Sequence, residues 1–504
     1  MKLPVVSSAK MRRIEEQTFA AGVTAQTLME EVGRQIADAV RQWPACPGSL
    51  LVYYGKGHNG GDALVAARHL AAEGWQVELR PQERDPSKLA ELTRGMLQAL
   101  ESGKLSVRKI RRAATPRPPV ILDGLLGISA SGPLRDDIRA LTREINNLRL
   151  QEYAHVVAVD LPTGLDADTG KADPDCVVAD MTVTAGYAKT GLVADGAAAF
   201  VGRLCVAPLA QFKPHAPTEF TSETASPASL HGVLPRRNFD SYKTQYGRIG
   251  IVAGSPGFTG AAVLCANGAL RGGAGLVTVY ASEDIQPILA VTAPPEVMVH
   301  PVKSYSEVQE QKHDVLALGP GLGKGHAGAI LHLIEHAECP MVLDADGLNL
   351  VAAHNPDLLL HCAGPRLLTP HPGEMGRLFP ESSKLSRYEA ATRFTARHAN
   401  ARFPITLLLK GSRTIIREQG KPASYNTTGN PGMGTGGMGD VLTGVCAALI
   451  GQHLSPYDAA RTGAWLCGAS ADIGVQYRSE ESLAAMDVVE FLGEAFGKLR
   501  SGSR

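Results

Sequence analysis

Residues 49–74 read SLLVYYGKGHNGGDALVAARHLAAEG. The apolar run from Ser49 to Tyr54 has the length of a buried strand, four glycines follow within the seven positions 55–61, and helical spacing begins at Ala63. A strand that enters a helix through a glycine-rich turn is half of a βαβ unit, and such units build parallel sheets. Glycines at the turn remove Cβ atoms and admit positive φ, so N–H groups at the helix amino terminus can approach a bound anion. Taken alone, the same turn is an ordinary tight connection.

The pattern continues outward. PPVILDG and HVVAVDLPTG follow it, and GRIGIVAGS, HDVLALGPG, PMVLDADG and ITLLLKG repeat it later in the chain. Short apolar runs alternating with longer helical patterns predict an α/β protein with parallel sheets and crossover helices. Thr27 and Glu30 have the spacing of a capping box for a helix bearing Leu28, Val32, Ile36 and Val40, with Pro44 past its end. Residues 212–237 are crowded with Pro, Ser and Thr and show neither period. A linker is therefore expected at 216–236, between domains 1–215 and 237–504, and a chain of 504 residues favours two domains.

Fifty basic and fifty acidic residues give a formal net charge of zero, which offers no bias toward nucleic acid. The basic cluster Arg108–Arg112 reads as a solvated face. The chain opens without an apolar signal segment and has no charge-free apolar stretch of membrane-spanning length, so no membrane association and a cytoplasmic location are expected. The eight cysteines, Cys46 among them, form no CxxC pair and no zinc spacing, and read as reduced thiols.

Ligands of open parallel sheets bind beyond the carboxyl ends of strands. There the first half offers Asn59, Asp123, Asp160 and Thr163, hard oxygen donors that suit potassium, magnesium or calcium better than zinc. Asp160 directly follows VVAV and is the acid/base candidate, whereas Asp166 and Asp168 read as turn formers. Lys189, in TAGYAKTGL, is a second candidate whose simpler reading is a solvated surface lysine.

In the second half, residues 426–444 (NTTGNPGMGTGGMGDVLTG) lead into the apolar helix VLTGVCAALIGQ. The N–H groups of its first turn suit a polyphosphate, but no GxxxxGK[ST] is present. Asp440 is then a base that takes a proton from a substrate hydroxyl, or else a simple helix cap. Other strand ends supply His371, Glu374, Lys410, Thr414, Gly319, Gly321 and Gly323. Glu374 can order magnesium through water, and His371 can stack on or bond to a ring.

GKGHNGGD, DGLLGISASGP and AVDLPTGLDADTG together resemble the epimerase domain of the bifunctional NAD(P)H-hydrate repair enzymes. The segment 426–444, with TPHPGEMGRL and KGSRT, resembles the ribokinase-like dehydratase domain of the same family. The resemblance implies a Rossmann-like first domain that interconverts the R and S forms of NADHX and NADPHX. It implies a second domain that dehydrates the S form while ADP is cleaved to AMP and phosphate. Carried over by motif, His58, Asn59, Gly60, Gly61, Asp62, Asp160 and the run Gly127, Ile128, Ser129, Ala130, Ser131, Gly132, Pro133 would contact the hydrate. Asn59, Asp123 and Thr163 would hold potassium. In the second domain Ala261, Gly323, His371 and Asp440 would meet the hydrate, and Lys410, Gly411, Ser412, Arg413, Thr414 and Gly439 the nucleotide, with magnesium beside it. This chain departs from the family pattern at His58, Ala63 and Gly434, where Asn, Gly and Ala are usual. A homo-oligomer is expected. The nearest rival is a hydroxymethylpyrimidine-type kinase carrying an amino-terminal binding module.

Overall fold

The computed structural model describes residues 2–42, 47–102, 118–130 and 132–502. Pro44, Cys46, the cluster Arg108–Arg112 and Ser131 lie outside the described residues. Leu3–Phe220 forms one compact unit and Thr221–Arg504 the other.

The first unit contains β1 (Ser49–Tyr54), β2 (Gln76–Pro81), β3 (Val120–Gly124), β4 (His155–Val159), β5 (Met181–Ala185) and β6 (Arg203–Ala207). They pair in the order β2-β1-β3-β4-β5-β6, every pair parallel. From β1 the chain goes first to one side and then, with β3, to the other, so a crevice is expected between the carboxyl ends of β1 and β3. The helix after β1 is His58–Ala72, five residues longer at its start than the sequence pattern suggests. Gly57 caps it in extended conformation and accepts the N–H groups of Gly60 and Gly61 at 3.0 and 3.3 Å. Residues 58–62 are therefore the first helical turn, not a loop. The helix Ala25–Arg41 is capped by Thr24, whose hydroxyl accepts the Thr27 N–H at 3.1 Å; the capping box expected at Thr27 lies a turn too late.

The second unit contains β7 (Ser222–Ala225), β8 (Arg248–Val252), β9 (Leu276–Ser282), β10 (Met298–Val302), β11 (Val315–Leu318), β12 (Met341–Leu343), β13 (Arg366–Leu368), β14 (Ile405–Leu409), β15 (Ile415–Glu418) and β16 (Ala423–Asn426). Their order is β10-β9-β8-β11-β12-β13-β14-β15-β16-β7. Only β15 runs antiparallel to its neighbours. The segment expected as a linker is thus largely structured: β7 pairs with β16, and Pro227–Leu230 forms a helical turn capped by Ser226. The strand SETA has no apolar run to betray it, and its ladder partner lies about two hundred residues on.

Strands β8, β11, β12, β13 and β14 are adjacent and parallel, so their carboxyl ends align residues 253–255, 319–323, 344, 369–374 and 410–414 along one edge. Behind them the helix Met438–Gly451 packs on the helix Thr259–Arg271, with Val441–Gly451 entirely buried. The helices touch at their backbones. A Cβ on Gly444 would lie 2.0 Å from the Cys265 carbonyl oxygen, and one on Gly268 2.3 Å from that of Val441. The seven described cysteines are free and five are buried. Among the described residues no helix is long and apolar enough to cross a membrane.

Candidate active sites

In the first unit Asp160 follows β4 with φ of 66°, a left-handed backbone uncommon for aspartate. Its Oδ1 accepts from Lys189 Nζ at 2.5 Å, from Thr184 Oγ1 at 3.1 Å and from the Ala185 N–H at 3.2 Å. Lys189 is 1% exposed, which corrects its reading as a surface lysine. Its Nζ also donates to Thr184 Oγ1 at 2.9 Å and to the Ala185 carbonyl at 3.2 Å, so three acceptors meet the three N–H groups of an ammonium. A lysine desolvated this fully is sustained by its bonded carboxylate.

Two further acids feel this pair. Burial pushes Asp62 well above the usual carboxylate range, with the Asp160 charge adding to it. Burial likewise raises Glu15, on the helix Ser8–Ala20, to about 6, with Lys189 opposing. Glu15 went unnoticed in the sequence because it sits mid-helix, far from any strand end.

Asp123 is fully buried within β3. Its Oδ2 accepts the Thr163 N–H at 2.8 Å and its Oδ1 the Thr163 hydroxyl at 2.7 Å. Burial raises it to about 6 against these bonds. Asn59 donates to the Leu126 carbonyl at 2.9 Å, and a Cβ on Gly127 would lie 3.5 Å from Asn59 Oδ1. Asn59, Asp123 and Thr163 therefore converge on the turn 125–127, at the crevice between β1 and β3. Arg12 reaches the carbonyl of Ile128 at 3.2 Å. His58, Ser129, Ala130, Gly132 and Pro133 are exposed, whereas Gly60 and Gly61 are buried.

In the second unit Asp440 is the third residue of the helix Met438–Gly451. The cap is Gly437, whose φ of 88° suits glycine, so Asp440 is not the helix cap. Burial raises its carboxyl to about 7, with the Asp344 charge adding and Lys410 opposing. Asp344, directly after β12, is 1% exposed. Lys410 Nζ donates to its Oδ1 at 2.7 Å and Thr443 Oγ1 to its Oδ2 at 2.9 Å. A Cβ on Gly439 would lie 3.2 Å from Lys410 Nζ, so this glycine leaves the lysine uncovered beside Asp440. Asp344 carried the same signal in the sequence as Asp160, an acid directly after an apolar run.

His371 caps its own helix, Pro372–Leu378. Its Nδ1 accepts the N–H groups of Gly373 and Glu374 at 3.0 and 3.4 Å, while Glu374 Oε2 accepts the His371 N–H at 2.8 Å. The buried Glu374 carboxylate also lies 3.8 Å from Lys410 Nζ. Residues 410–414 form the hairpin connection between β14 and β15. Gly411 and Ser412 are exposed there, Thr414 donates to the Gly411 carbonyl at 3.1 Å, and Arg413 is only 4% exposed. The Arg413 side chain is thus largely buried, while the backbone of 411–412 is open. A cavity of about 530 Å³ opens beyond β8, β9 and β11, lined by Gly323, Ser255, Tyr305 and His326 among others. Ala261 packs against the turn after β11, since a Cβ on Gly321 would come within 2.8 Å of the Ala261 methyl.

Each unit is therefore a mainly parallel α/β domain with a carboxylate–lysine pair at its strand ends, and the second adds a glycine-started helix bearing an acid in its first turn. Residues 249–492 match the family described as NAD(P)H-hydrate dehydratase, and residues 25–191 that described as YjeF-related protein N-terminus. The bifunctional NAD(P)H-hydrate repair enzyme Nnr of Moorella thermoacetica is 36% identical over 521 residues, covering 97% of this chain and 96% of that one. Its counterpart from Escherichia coli is 35% identical over 484 residues, covering 95% and 90%. A solved structure of ADP/ATP-dependent NAD(P)H-hydrate dehydratase from Bacillus subtilis, co-crystallized with ATP/Mg2+, aligns at 29% identity with a TM-score of 0.48, over 55% of this chain and 98% of that one. The chain belongs to the bifunctional NAD(P)H-hydrate repair enzymes.

Proposed function

We propose that this protein restores hydrated nicotinamide cofactors in two steps. The first unit interconverts the R and S forms of NADHX and NADPHX, and the second dehydrates the S form while ADP is split to AMP and phosphate. Asp160 is the acid/base of the first step. The hydroxyl-bearing ring carbon inverts if its hydroxyl proton passes to this carboxylate while the ring C–N bond opens to an aldehyde and the nitrogen gains a proton, the ring then re-closing on the other face with the reverse transfers; Lys189 with Thr184 fixes the carboxylate. Potassium fits beside it. Asn59, Asp123 and Thr163 are hard oxygen donors around a carboxyl that burial, against the Thr163 and Leu125 hydrogen bonds, raises to about 6, and a bound cation would favour its ionised form.

In the second step hydroxide is a poor leaving group, so the ring hydroxyl is first phosphorylated. Asp440 takes its proton, the hydroxyl oxygen bonds to the β-phosphorus of ADP, and AMP leaves. The ring C–O bond then breaks with loss of phosphate and of a neighbouring ring proton, giving the dihydronicotinamide. Lys410, the exposed backbone of 411–412 and Gly439 would hold the phosphates against the helix amino terminus, and Ala261, Gly323 and His371 the hydrate. Magnesium, ordered through water by Glu374, would offset phosphate charge.

The observation that carries this function is Asp440: an acid whose carboxyl burial raises to about 7, in the first turn of the glycine-started helix and beside the pair of buried Asp344 with half-buried Lys410. The test is AMP and phosphate release from ADP by the intact protein and by Asp440→Asn. One AMP and one phosphate per dihydronicotinamide formed, lost in the variant by about 10³-fold or more, is expected. A stable phosphorylated product without phosphate release would replace this reading with that of a small-alcohol kinase.

A further inference from the structure

Asp344 has no part in the steps above, yet it is the best-connected group beside Asp440. It sits at the end of β12 in the middle of the aligned strands β8, β11, β12, β13 and β14. One carboxylate oxygen holds Lys410 Nζ, from the end of β14, at 2.7 Å. The other holds Thr443 Oγ1, three residues after Asp440 on the same helix, at 2.9 Å. A Cβ on Gly439 would lie 3.4 Å from Asp344 Oδ2 and 3.2 Å from Lys410 Nζ, so the pair lies directly against the peptide that precedes Asp440. The carboxylate thus ties the end of β14 to the helix that bears the base.

We infer that Asp344 is a positioning residue for dehydration: through Lys410 it aims a cation at the transferred phosphoryl group, and through Thr443 it fixes the turn that presents Asp440 to the substrate hydroxyl. The inference rests on the roles given to Lys410 and Asp440 above. It also has an electrostatic consequence. The charged groups that act on Asp440 are Asp344 and Lys410; the Cys265 thiol facing it from the helix Thr259–Arg271 is pushed far up by burial and stays neutral. Removing the Asp344 charge therefore lets Asp440 ionise at lower pH.

The test is the pH dependence of kcat/KM for the S hydrate, with KM for ADP, in the intact protein, Asp344→Asn and Thr443→Val. For the intact protein the rate rises as pH passes about 7, as a base near that value requires. In Asp344→Asn the limb moves down by about one pH unit and KM for ADP rises about tenfold, because Lys410 has lost its anchor. The ionisation of ADP is common to both proteins and cancels. Thr443→Val, which leaves Lys410 its partner, is expected to lower kcat about tenfold with KM for ADP within about twofold. An Asp344→Asn protein with an unmoved limb and unchanged KM for ADP would overturn the inference, whatever its melting temperature. If that variant does not fold, Thr443→Val decides, and unchanged kcat there overturns it. An intact protein that fails to dehydrate the hydrate with ADP would instead sink the underlying dehydratase assignment.

Discussion

Lys189 makes three hydrogen bonds with almost no exposed surface, so its replacement tests chemistry and not surface charge. Lys189→Met should slow R-to-S interconversion by about 10²-fold, the ordinary range for losing a group that sets a general acid or base. Dehydration of the pure S hydrate should continue, since every residue assigned to it lies in the other unit. Interconversion at the native rate would return Asp160 to a solitary role. The difference in legibility between these residues is physical. Asp160 was readable because an acid directly after an apolar run has to stand at a strand end. Lys189 was not, because its partner is 29 residues away and the polar, glycine-bearing surroundings GYAKTGL look solvated until the fold buries them. The burial of Arg413 was equally hidden: in KGSRT a basic side chain beside Gly411 and Ser412 looks solvated until the hairpin covers it.

At the scale of elements, the glycines of residues 426–444 have unlike tasks that one quoted motif hides. Gly437 turns the chain into the helix with positive φ, and Gly439 leaves Lys410 uncovered. Gly444 belongs to packing instead. In an exposed helix Gly→Ala would stabilise by about 1 kcal/mol. Here the new Cβ would lie 2.0 Å from a backbone carbonyl that no side-chain rotation can move, and overpacking costs about 1–3 kcal/mol. The clash outweighs the propensity gain. Gly444→Ala should therefore lower the urea concentration at which dehydratase activity is lost, while R-to-S interconversion keeps its own midpoint. An unchanged or higher midpoint would mean that the two helices slide apart at no cost. The strand–helix alternation was legible in the sequence because the central strands are apolar runs, even the three-residue β12. β7 escaped notice because SETA contains no apolar run and its pairing with β16 is set by tertiary contact.

For the whole molecule, the decisive feature is that each carboxylate–lysine pair is complete within one compact unit. Two sites of this kind predict two separable activities. The most direct measurement follows dihydronicotinamide absorbance from a mixture of R and S hydrates supplied with ADP, magnesium and potassium. It compares the intact protein, Asp160→Asn, Asp440→Asn, and an equal mixture of the two variants. The intact protein should recover all of the cofactor, Asp440→Asn none above the spontaneous rate, and Asp160→Asn only the S portion before slowing to spontaneous epimerisation. The mixed variants should again recover everything, each supplying the activity that the other lacks. Full and fast recovery by Asp160→Asn alone, or recovery by Asp440→Asn alone, would contradict the assignment of one repair step to each unit.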